Sequence, residues 1–342
     1  MGDNYSLRYS YYILFTVFLF TAACNKKDKD PVEEPAGPVI IPDTGLKCGD
    51  LPAAPIPFGW TDTLTDGNKC INAFMFDPIN PNKIIYVVNG DAAGYNKLFF
   101  YDVPSKQAKY VCTLGEYLPQ VNSKGWIVFS DVENNVQLIK GNNDSIIALT
   151  NNKHARDPKW DYSENKVLYF SEPHDNIPAK MIEVDISGQL IAEFEANAPY
   201  AATFKKSNKI IVLEINTTTC KLTQKDLDGI IGNRTLLSGP TYSKPGQINF
   251  DNLTLDRTDE NFYWSNSYGI FKCNLASLKV DTLFKNCQNF IFNNPMISFK
   301  DNELTYSHEV ISPINSLKLY HQFRAMELNL VTWQTTEIKI YP

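Results

Sequence analysis

The chain has 342 residues, of which 43% are apolar and 13% aromatic, and this composition is typical of a globular protein with a sizeable core. Its 32 basic and 38 acidic residues are interspersed and give a net charge of -6. The sequence therefore lacks the basic stripe that would neutralise a phosphate backbone, which argues against a nucleic-acid partner.

The N-terminus carries an apolar run at residues 11–23 (YYILFTVFLFTAA), behind a short segment that contains Arg8. The run is shorter than the roughly 20 apolar residues of a membrane-spanning helix, so residues 1–23 are predicted to be a signal peptide. The small residues directly before Cys24 resemble the lipobox of bacterial lipoproteins. That resemblance implies cleavage before Cys24 and acylation of its thiol and new amine. An uncleaved membrane anchor and a plain secretory signal are the alternatives.

Residues 24–45 are rich in charge and proline, beginning NKKDKD after Cys24. Such a segment cannot form a core, so it is predicted to be a disordered tether. Charged residues after a lipidated cysteine also resemble the surface-export tags of lipoproteins from Bacteroidetes, although a plain solubilising spacer explains them equally well. We expect a lipid anchor in the outer membrane and leave the membrane face open.

Beyond residue 70 the chain repeats six times as strand, polar turn and strand. The copies are residues 74–88, 119–129, 157–171, 201–213, 253–264 and 295–306, and their equivalent anchor residues are Phe76, Val121, Trp160, Thr203, Leu255 and Ile297. Successive anchors are 45, 39, 43, 52 and 42 residues apart, and each copy is followed by two further apolar segments. Units of four short strands at this spacing predict an all-β, six-bladed β-propeller with four-stranded antiparallel blades over residues 46–342.

The third copy has a proline at 158, an aromatic residue at 160 and a Glu164-Asn165-Lys166 turn before an apolar strand. This order resembles the repeats of TolB-like propellers, and the resemblance covers residues 70–342. A β-sandwich or a pair of smaller β domains is the competing interpretation. A seventh unit would need the 203–255 interval or residues 46–69. Either residues 336–340 or residues 60–66 could complete the ring.

Six cysteines remain besides Cys24, and an even number in an exported chain permits disulfides. We expect Cys48 to pair with Cys70, and Cys273 with Cys287. Cys112 and Cys220 belong to distant units and are predicted to be buried thiols. The chain has no Cys-x-x-Cys spacing, so no structural zinc site is expected.

Motifs for catalysis and cofactor binding are missing from the sequence. It holds four histidines without a His-Glu-x-x-His pair, no Gly-x-Ser-x-Gly turn and no glycine-rich phosphate loop, so we expect neither a metal nor a cofactor. The enzymatic alternative is a glycan-processing hydrolase or lyase. Its candidate catalytic residues at the channel mouth are Asp157, His154 and Tyr200.

The first strand of each propeller blade lines the channel, so residues near its start are expected at one rim. These candidate ligand-binding residues are Asn72, Asp157, Tyr200, Asn252 and Asn294. The set is polar and amide-rich with one aromatic, which suits peptide or glycan, although any wet channel mouth needs polar residues. The sequence thus predicts a membrane-anchored, non-enzymatic binding or scaffolding module for an envelope protein or glycan, of open oligomeric state.

Overall fold

The computed structural model describes most of the repeated region. The described residues are 71–88, 95–141, 145–196, 201–215, 219–227, 233–240, 251–266, 268–286, 290–299, 302–315 and 318–340. The predicted signal peptide and tether lie outside them, as do Cys24, Cys48, Cys70, Tyr200 and Cys287. Within these ranges, no helix has the length and apolar character needed to cross a membrane.

The described residues form 24 strands in six four-stranded antiparallel sheets, each built from four consecutive strands. Blade 1 is β1 (Ile71–Phe76), β2 (Lys83–Val88), β3 (Lys97–Asp102) and β4 (Gln107–Thr113); blade 2 is β5 (Gln120–Val121), β6 (Ile127–Ser130), β7 (Val136–Ile139) and β8 (Ile146–Ala148); blade 3 is β9 (Ala155–Trp160), β10 (Lys166–Ser171), β11 (Lys180–Asp185) and β12 (Leu190–Glu195).

The remaining strands continue the same pattern. Blade 4 is β13 (Ala201–Thr203), β14 (Lys209–Ile215), β15 (Thr219–Asp226) and β16 (Arg234–Pro240); blade 5 is β17 (Asp251–Leu255), β18 (Asn261–Asn266), β19 (Gly269–Asn274) and β20 (Val280–Lys285); blade 6 is β21 (Phe290–Ile297), β22 (Glu303–Asn315), β23 (Lys318–Asn329) and β24 (Thr335–Ile338). The predicted six-bladed propeller is confirmed, and the β-sandwich alternative is not. Residues 335–338 complete blade 6, while residues 60–66 lie outside the described ranges.

All six anchor residues of the repeat occupy the same structural position. Each one is the last residue of the first strand of its blade. First strands of neighbouring blades contact one another from β5 through β9, β13 and β17 to β21, and β21 contacts β1, whereas the fourth strands of blades 1, 2 and 3 are mostly exposed. The first strands therefore surround a central channel, and the chain works outward through each blade.

The second strands of blades 1 and 3 contain long apolar runs, KIIYVV in β2 and KVLYFS in β10. In both strands every residue after the initial lysine is buried. A strand with a neighbouring blade on each face has no solvent side, so it reads as a continuous apolar run instead of an alternating one. This burial explains why the repeat is visible in the sequence.

The core consists of six apolar clusters, one between each pair of neighbouring blades. The contact between blades 4 and 5 is representative, because Leu213 and Leu222 pack with Trp264 and Phe271. The closing contact between blades 6 and 1 is of the same kind and joins Phe74 and Tyr86 to Ala325, with Ile338 and Ile340 at its edge.

A buried hydroxyl adds a polar contact across this closing interface. Thr305 on β22 donates its hydroxyl to the carbonyl of Phe74 on β1 at 2.9 Å, and its oxygen lies 3.2 Å from the carbonyl of Met296. Thr305 is 1% exposed, so water does not compete for these acceptors. The contact fixes the first blade against the last one.

In four of the six turns after the first strands, an Asp or Asn side chain accepts hydrogen bonds from the backbone of its own turn. Asp77, Asn122, Asp161 and Asp256 each directly follow an anchor residue, and each accepts backbone N–H groups of the turn through its Oδ1 atom at 2.9–3.3 Å. An Asp or Asn side chain that accepts from its own turn holds the backbone in one conformation. These turns are therefore well defined before any partner arrives.

Three described cysteines, Cys112, Cys220 and Cys273, are free and buried. The prediction of buried thiols at Cys112 and Cys220 is confirmed, and burial raises the pKa of Cys220 to about 11. Cys273 does not form the predicted disulfide with Cys287. Its side chain packs into the apolar cluster between blades 4 and 5, where burial raises its pKa to about 12, and the thiol is free. The Cys48–Cys70 pairing stays a prediction.

Replacing Thr305 with Val tests the closing contact. The shape is kept and the hydrogen bond donated by the hydroxyl is lost, so T305V should lower the free energy of unfolding by about 1 kcal/mol in chemical denaturation. The matched control T335V lies on an exposed strand and should change it by less than about 0.5 kcal/mol. An unchanged T305V variant would show that the hydroxyl does not stabilise the ring.

His308 on β22 makes stability depend on pH. It is fully buried and stacks on Phe292 with ring centroids 4.5 Å apart. Burial lowers its pKa to about 4, Arg324 adds to the shift and Glu337 opposes it. Between about pH 6.5 and 4 the imidazole is protonated in the unfolded chain and neutral in the native protein, so the free energy of unfolding falls as the pH falls.

The variant H308F should therefore lose less stability than the wild type over this pH range, by an amount on the order of 2–3 kcal/mol. Urea denaturation at a series of pH values measures the difference. H174Q, at a partly exposed histidine, is the control and should follow the wild-type curve. Parallel curves for H308F and wild type would contradict the assignment.

Candidate functional site

The channel has two chemically different ends. The turn end carries the turns that follow Phe76, Val121, Trp160, Thr203, Leu255 and Ile297, and the entry end is where the first strands begin. Residues at or just beyond the ends of all six first strands line one cavity, so the six turns lie together at one end of the channel. Sequence reasoning placed its candidate residues at the entry end.

Three predicted rim residues are bulge residues. Asp157, Asn252 and Asn294 each lie three positions before an anchor and have positive φ angles of 48°, 51° and 55°. The register of the first strand shifts at each of them. Asp and Asn tolerate this left-handed conformation better than other non-glycine residues. The shared bulge explains why these residue types recur at this position.

The amides of the entry end bind one another. Asn252 donates through Nδ2 to Oδ1 of Asn294. The Nδ2 atom of Asn294 in turn donates to Asn72, to its side-chain oxygen and to its backbone carbonyl at 2.8 Å. Asn72 donates in turn to Asn96 at 3.4 Å, and Asn96 to the carbonyls of residues 115 and 116. The structure thus brings Asn72, Asn252 and Asn294 together as a chain across blades 5, 6 and 1. Their role in ligand binding stays a prediction.

Asp157 forms a buried ion pair. Its Oδ1 atom lies 2.6 Å from Nζ of Lys159, and the two residues are 4% and 8% exposed. Burial raises the pKa of Asp157, whereas the ammonium of Lys159 opposes the shift. Sequence reasoning missed Lys159, although it lies only two residues from Asp157.

The candidate catalytic residues are not assembled among the described residues. His154 stacks on His174, with ring centroids 3.8 Å apart and an interplanar angle of 6°. Asp157 is engaged by Lys159, and no hydrogen bond joins it to His154 within the described part of the chain. Tyr200 lies outside the described residues. The entry end therefore offers an internal brace and an ion pair where sequence reasoning expected a ligand surface.

The turn end holds a cavity of about 240 Å³ to which every blade contributes. Its lining residues are Met75, Gln120, Val121, Ser123, Trp160, Glu164, Lys205, Thr254, Arg257, Met296, Ile297 and Phe299. We call this cavity the turn-end pocket. It lies on the channel and collects side chains that are far apart in sequence, which is typical of ligand sites in propellers and barrels.

Hydrogen bonds between neighbouring turns fix the rim of this pocket. Glu164 accepts the backbone N–H of Ser123 at 3.0 Å and also its hydroxyl, which joins blade 3 to blade 2. Asp259 accepts the backbone N–H groups of Lys205 and Lys206 at 2.7 and 2.8 Å, which joins blade 5 to blade 4. Such contacts pre-organise a mouth, so little order has to be imposed on binding.

Lys205 brings a positive charge to the pocket. Its side chain is exposed to water, and the residues that line the pocket partly desolvate its ammonium. Desolvation consequently lowers its pKa, Glu164 and Asp259 oppose the shift, and Arg257 and Lys159 add to it.

Aromatic and thioether side chains form part of the pocket wall. Trp160 is 3% exposed and its indole N–H donates to the carbonyl of Gln120 at 3.2 Å. Arg257 lies over the ring of Phe299, 4.7 Å from its centroid. Trp160 is therefore buried, and one face of the Phe299 ring is covered by Arg257. Met75 and Met296 supply flexible thioether side chains that adapt to different ligands.

A sequence signal for this pocket existed. Four lining residues lie one position before an anchor, and four lie two positions after one: Met75, Gln120, Thr254 and Met296, then Ser123, Lys205, Arg257 and Phe299. The same anchors that identified the blades could have identified these residues. The residues predicted from the sequence lie at the starts of the strands, whereas these lining residues lie at the other end of the channel.

No family model matches the chain, and no curated protein matches it. Among solved structures, it is similar to a TolB protein from Agrobacterium tumefaciens, with a TM-score of 0.50, 10% identity and coverage of 70% of this chain and 87% of that one. A puromycin-hydrolyzing peptidase from Mycobacterium tuberculosis gives 0.50 and 11%, covering 84% of this chain and 58% of that one. A puromycin hydrolase gives 0.51 and 10%, covering 80% and 54%.

These likenesses concern the fold. The resemblance to TolB-like propellers is confirmed at the level of architecture, and at such low identity it carries no function. The chain spans little more than half the length of the two peptidase chains, whose activity belongs to those proteins.

Substituting Asp157 separates its structural role from a catalytic one. D157N keeps a side chain suited to the positive φ but leaves Lys159 as an unpaired buried charge, so the free energy of unfolding at about pH 8 should fall by about 3–5 kcal/mol. The double variant D157N/K159M should recover most of this loss. A catalytic Asp157 predicts no loss of stability, so wild-type unfolding of D157N would contradict the structural role.

Proposed function

We propose that the chain is a non-enzymatic binding module, anchored to the outer membrane through Cys24, whose turn-end pocket engages an envelope protein. The observation that supports this function is the pocket itself, to which six blades contribute and whose rim is fixed by contacts between turns. Ligand sites are concave and largely pre-formed, with a few polar groups among apolar ones. The turn-end pocket has this composition.

The proposed anchor defines where the partner lies. Residues 24–45 could extend over at most about 70–80 Å, and a coil of that length would span less. A module tethered so closely meets proteins of the same membrane at a high effective concentration. Its membrane face is left to experiment.

The alternative of a glycan-processing enzyme has no observation in its favour. Its suspects at the entry end are engaged elsewhere, since Asp157 is paired with Lys159 and His154 is stacked on His174. The turn-end pocket brings one carboxylate, Glu164, that is bound to Ser123. We therefore carry only the binding function forward.

Photo-crosslinking in intact cells tests the binding function. Phe299 lines the pocket, and replacing it with p-benzoyl-phenylalanine keeps an aromatic side chain there. The full-length variant should give a discrete adduct that protease digestion collapses and glycosidase treatment does not. The matched positions are Tyr110 on the outer strand β4 and Ile177 in an exposed loop, 51% and 45% exposed, and they should not give that adduct.

The variant C24S tests the anchor in the same cells. It should move the chain from the membrane fraction to the soluble fraction and remove the adduct, because the tethered concentration is lost. An adduct at Tyr110 or Ile177 but not at Phe299 would contradict the turn-end site. A glycosidase-sensitive adduct would favour a glycan partner.

A further inference from the structure

The turn-end pocket contains a cation, Lys205, whose ammonium has no hydrogen-bond partner among the described residues. Lys205 lines the pocket, and its backbone N–H, not its ammonium, donates a hydrogen bond to Asp259. An ammonium group has three donors. These donors favour a negatively charged acceptor from outside the chain.

The nearby carboxylates do not fill this need. Glu164 directs both oxygens to Ser123, and Asp259 directs its two oxygens to the backbone N–H groups of Lys205 and Lys206. They hold the rim in shape and reduce the cost of placing Lys205 there. Arg257 and Lys159 add further positive charge around the same ammonium.

The size of the pocket limits what can enter. About 240 Å³ is below the roughly 300–1,000 Å³ of sites that enclose a whole drug-sized ligand. The pocket therefore suits one or two side chains at the end of a segment. Its apolar wall of Met75, Met296 and Ile297 would contact an apolar side chain next to the charged group.

The aromatic groups favour a peptide over a sugar. Sugar rings are commonly held on an open aromatic face, but Trp160 is buried and Arg257 covers one face of the Phe299 ring. An extended peptide needs no such face. Its carboxylate can accept from Lys205 while its neighbouring side chain packs on the methionines.

We propose that the turn-end pocket binds a carboxylate of an extended peptide segment of the partner protein, with Lys205 as the principal donor and Arg257 beside it. The carboxylate comes either from the C-terminus of the segment or from an Asp or Glu side chain. This assignment rests on the proposed function and adds the chemistry that the pocket recognises.

Three pools of N-acetylated hexapeptides, randomised over apolar and neutral residues, test the assignment on the full-length chain in detergent. The first pool ends in a free carboxylate, the second in an amide, and the third in an amide with one glutamate fixed at the fourth position. Retained peptides are identified by mass spectrometry, and dissociation constants are measured for the best member of each pool.

Wild-type protein should retain the first pool, the third pool or both, and leave the amide pool unbound. Retention of the first alone assigns a chain end, and retention of the third alone assigns an acidic side chain. K205M should weaken binding about tenfold or more, because a hydrogen bond to a charged group is lost. K205R should keep it within about threefold, since the charge remains.

The matched control is K206M. Lys206 is the next residue and is exposed, and its ammonium contacts the carbonyl of Thr258 outside the pocket lining. It should bind like wild type. Equal retention of the amide pool, no retention of any pool, or equal losses for K205M and K206M would overturn the assignment. A crosslink at Phe299 without carboxylate preference would leave the binding function in place and remove only this inference.

Discussion

The contact between the last blade and the first determines whether the rest of the structure can exist. Each described blade consists of four consecutive strands, so apolar side chains and the hydroxyl of Thr305 join blade 6 to blade 1. The second strands have no solvent face and depend on a neighbour on both sides. A ring with one open interface would expose two such faces, which no single blade could stabilise alone.

Closure also determines the chemistry of the axis. The entry end crosses the same interface with its amides, because Asn252, Asn294 and Asn72 donate in sequence from blade 5 to blade 6 and blade 1. Buried polar groups need partners, and these amides satisfy one another. At the turn end, carboxylates join neighbouring turns while Lys205 faces the pocket. One end of the channel thus stabilises the ring, and the other can receive a ligand.

Much of the fold follows from sequence because burial repeats. Every blade hides its second strand, and an apolar run behind a polar turn therefore recurs at the six anchors, each of which ends a first strand. The bulge at the entry end is also visible, since Asp157, Asn252 and Asn294 are residue types that accept a positive φ. Their contacts are not visible in sequence. Lys159 pairs with Asp157, and the amides pair across more than 200 residues, from Asn294 to Asn72.

The pocket was harder to predict because its residues share a position and not a chemistry. Equivalent places in the blades hold Met75, Gln120, Thr254 and Met296, so no single copy looks like a site. Their significance appears only when the ring brings them together. The free thiol of Cys273 has the same origin, because its packing between blades 4 and 5 is a property of the assembled ring and not of cysteine spacing.

Hydrogen–deuterium exchange of the full-length chain, alone and with the partner captured at Phe299, tests most directly whether the ring presents its turn end. We predict slower exchange on binding in the turns after Val121, Trp160, Thr203 and Leu255, and unchanged exchange in the outer strands β4 and β12. Protection confined to the entry end or to the outer strands would contradict it.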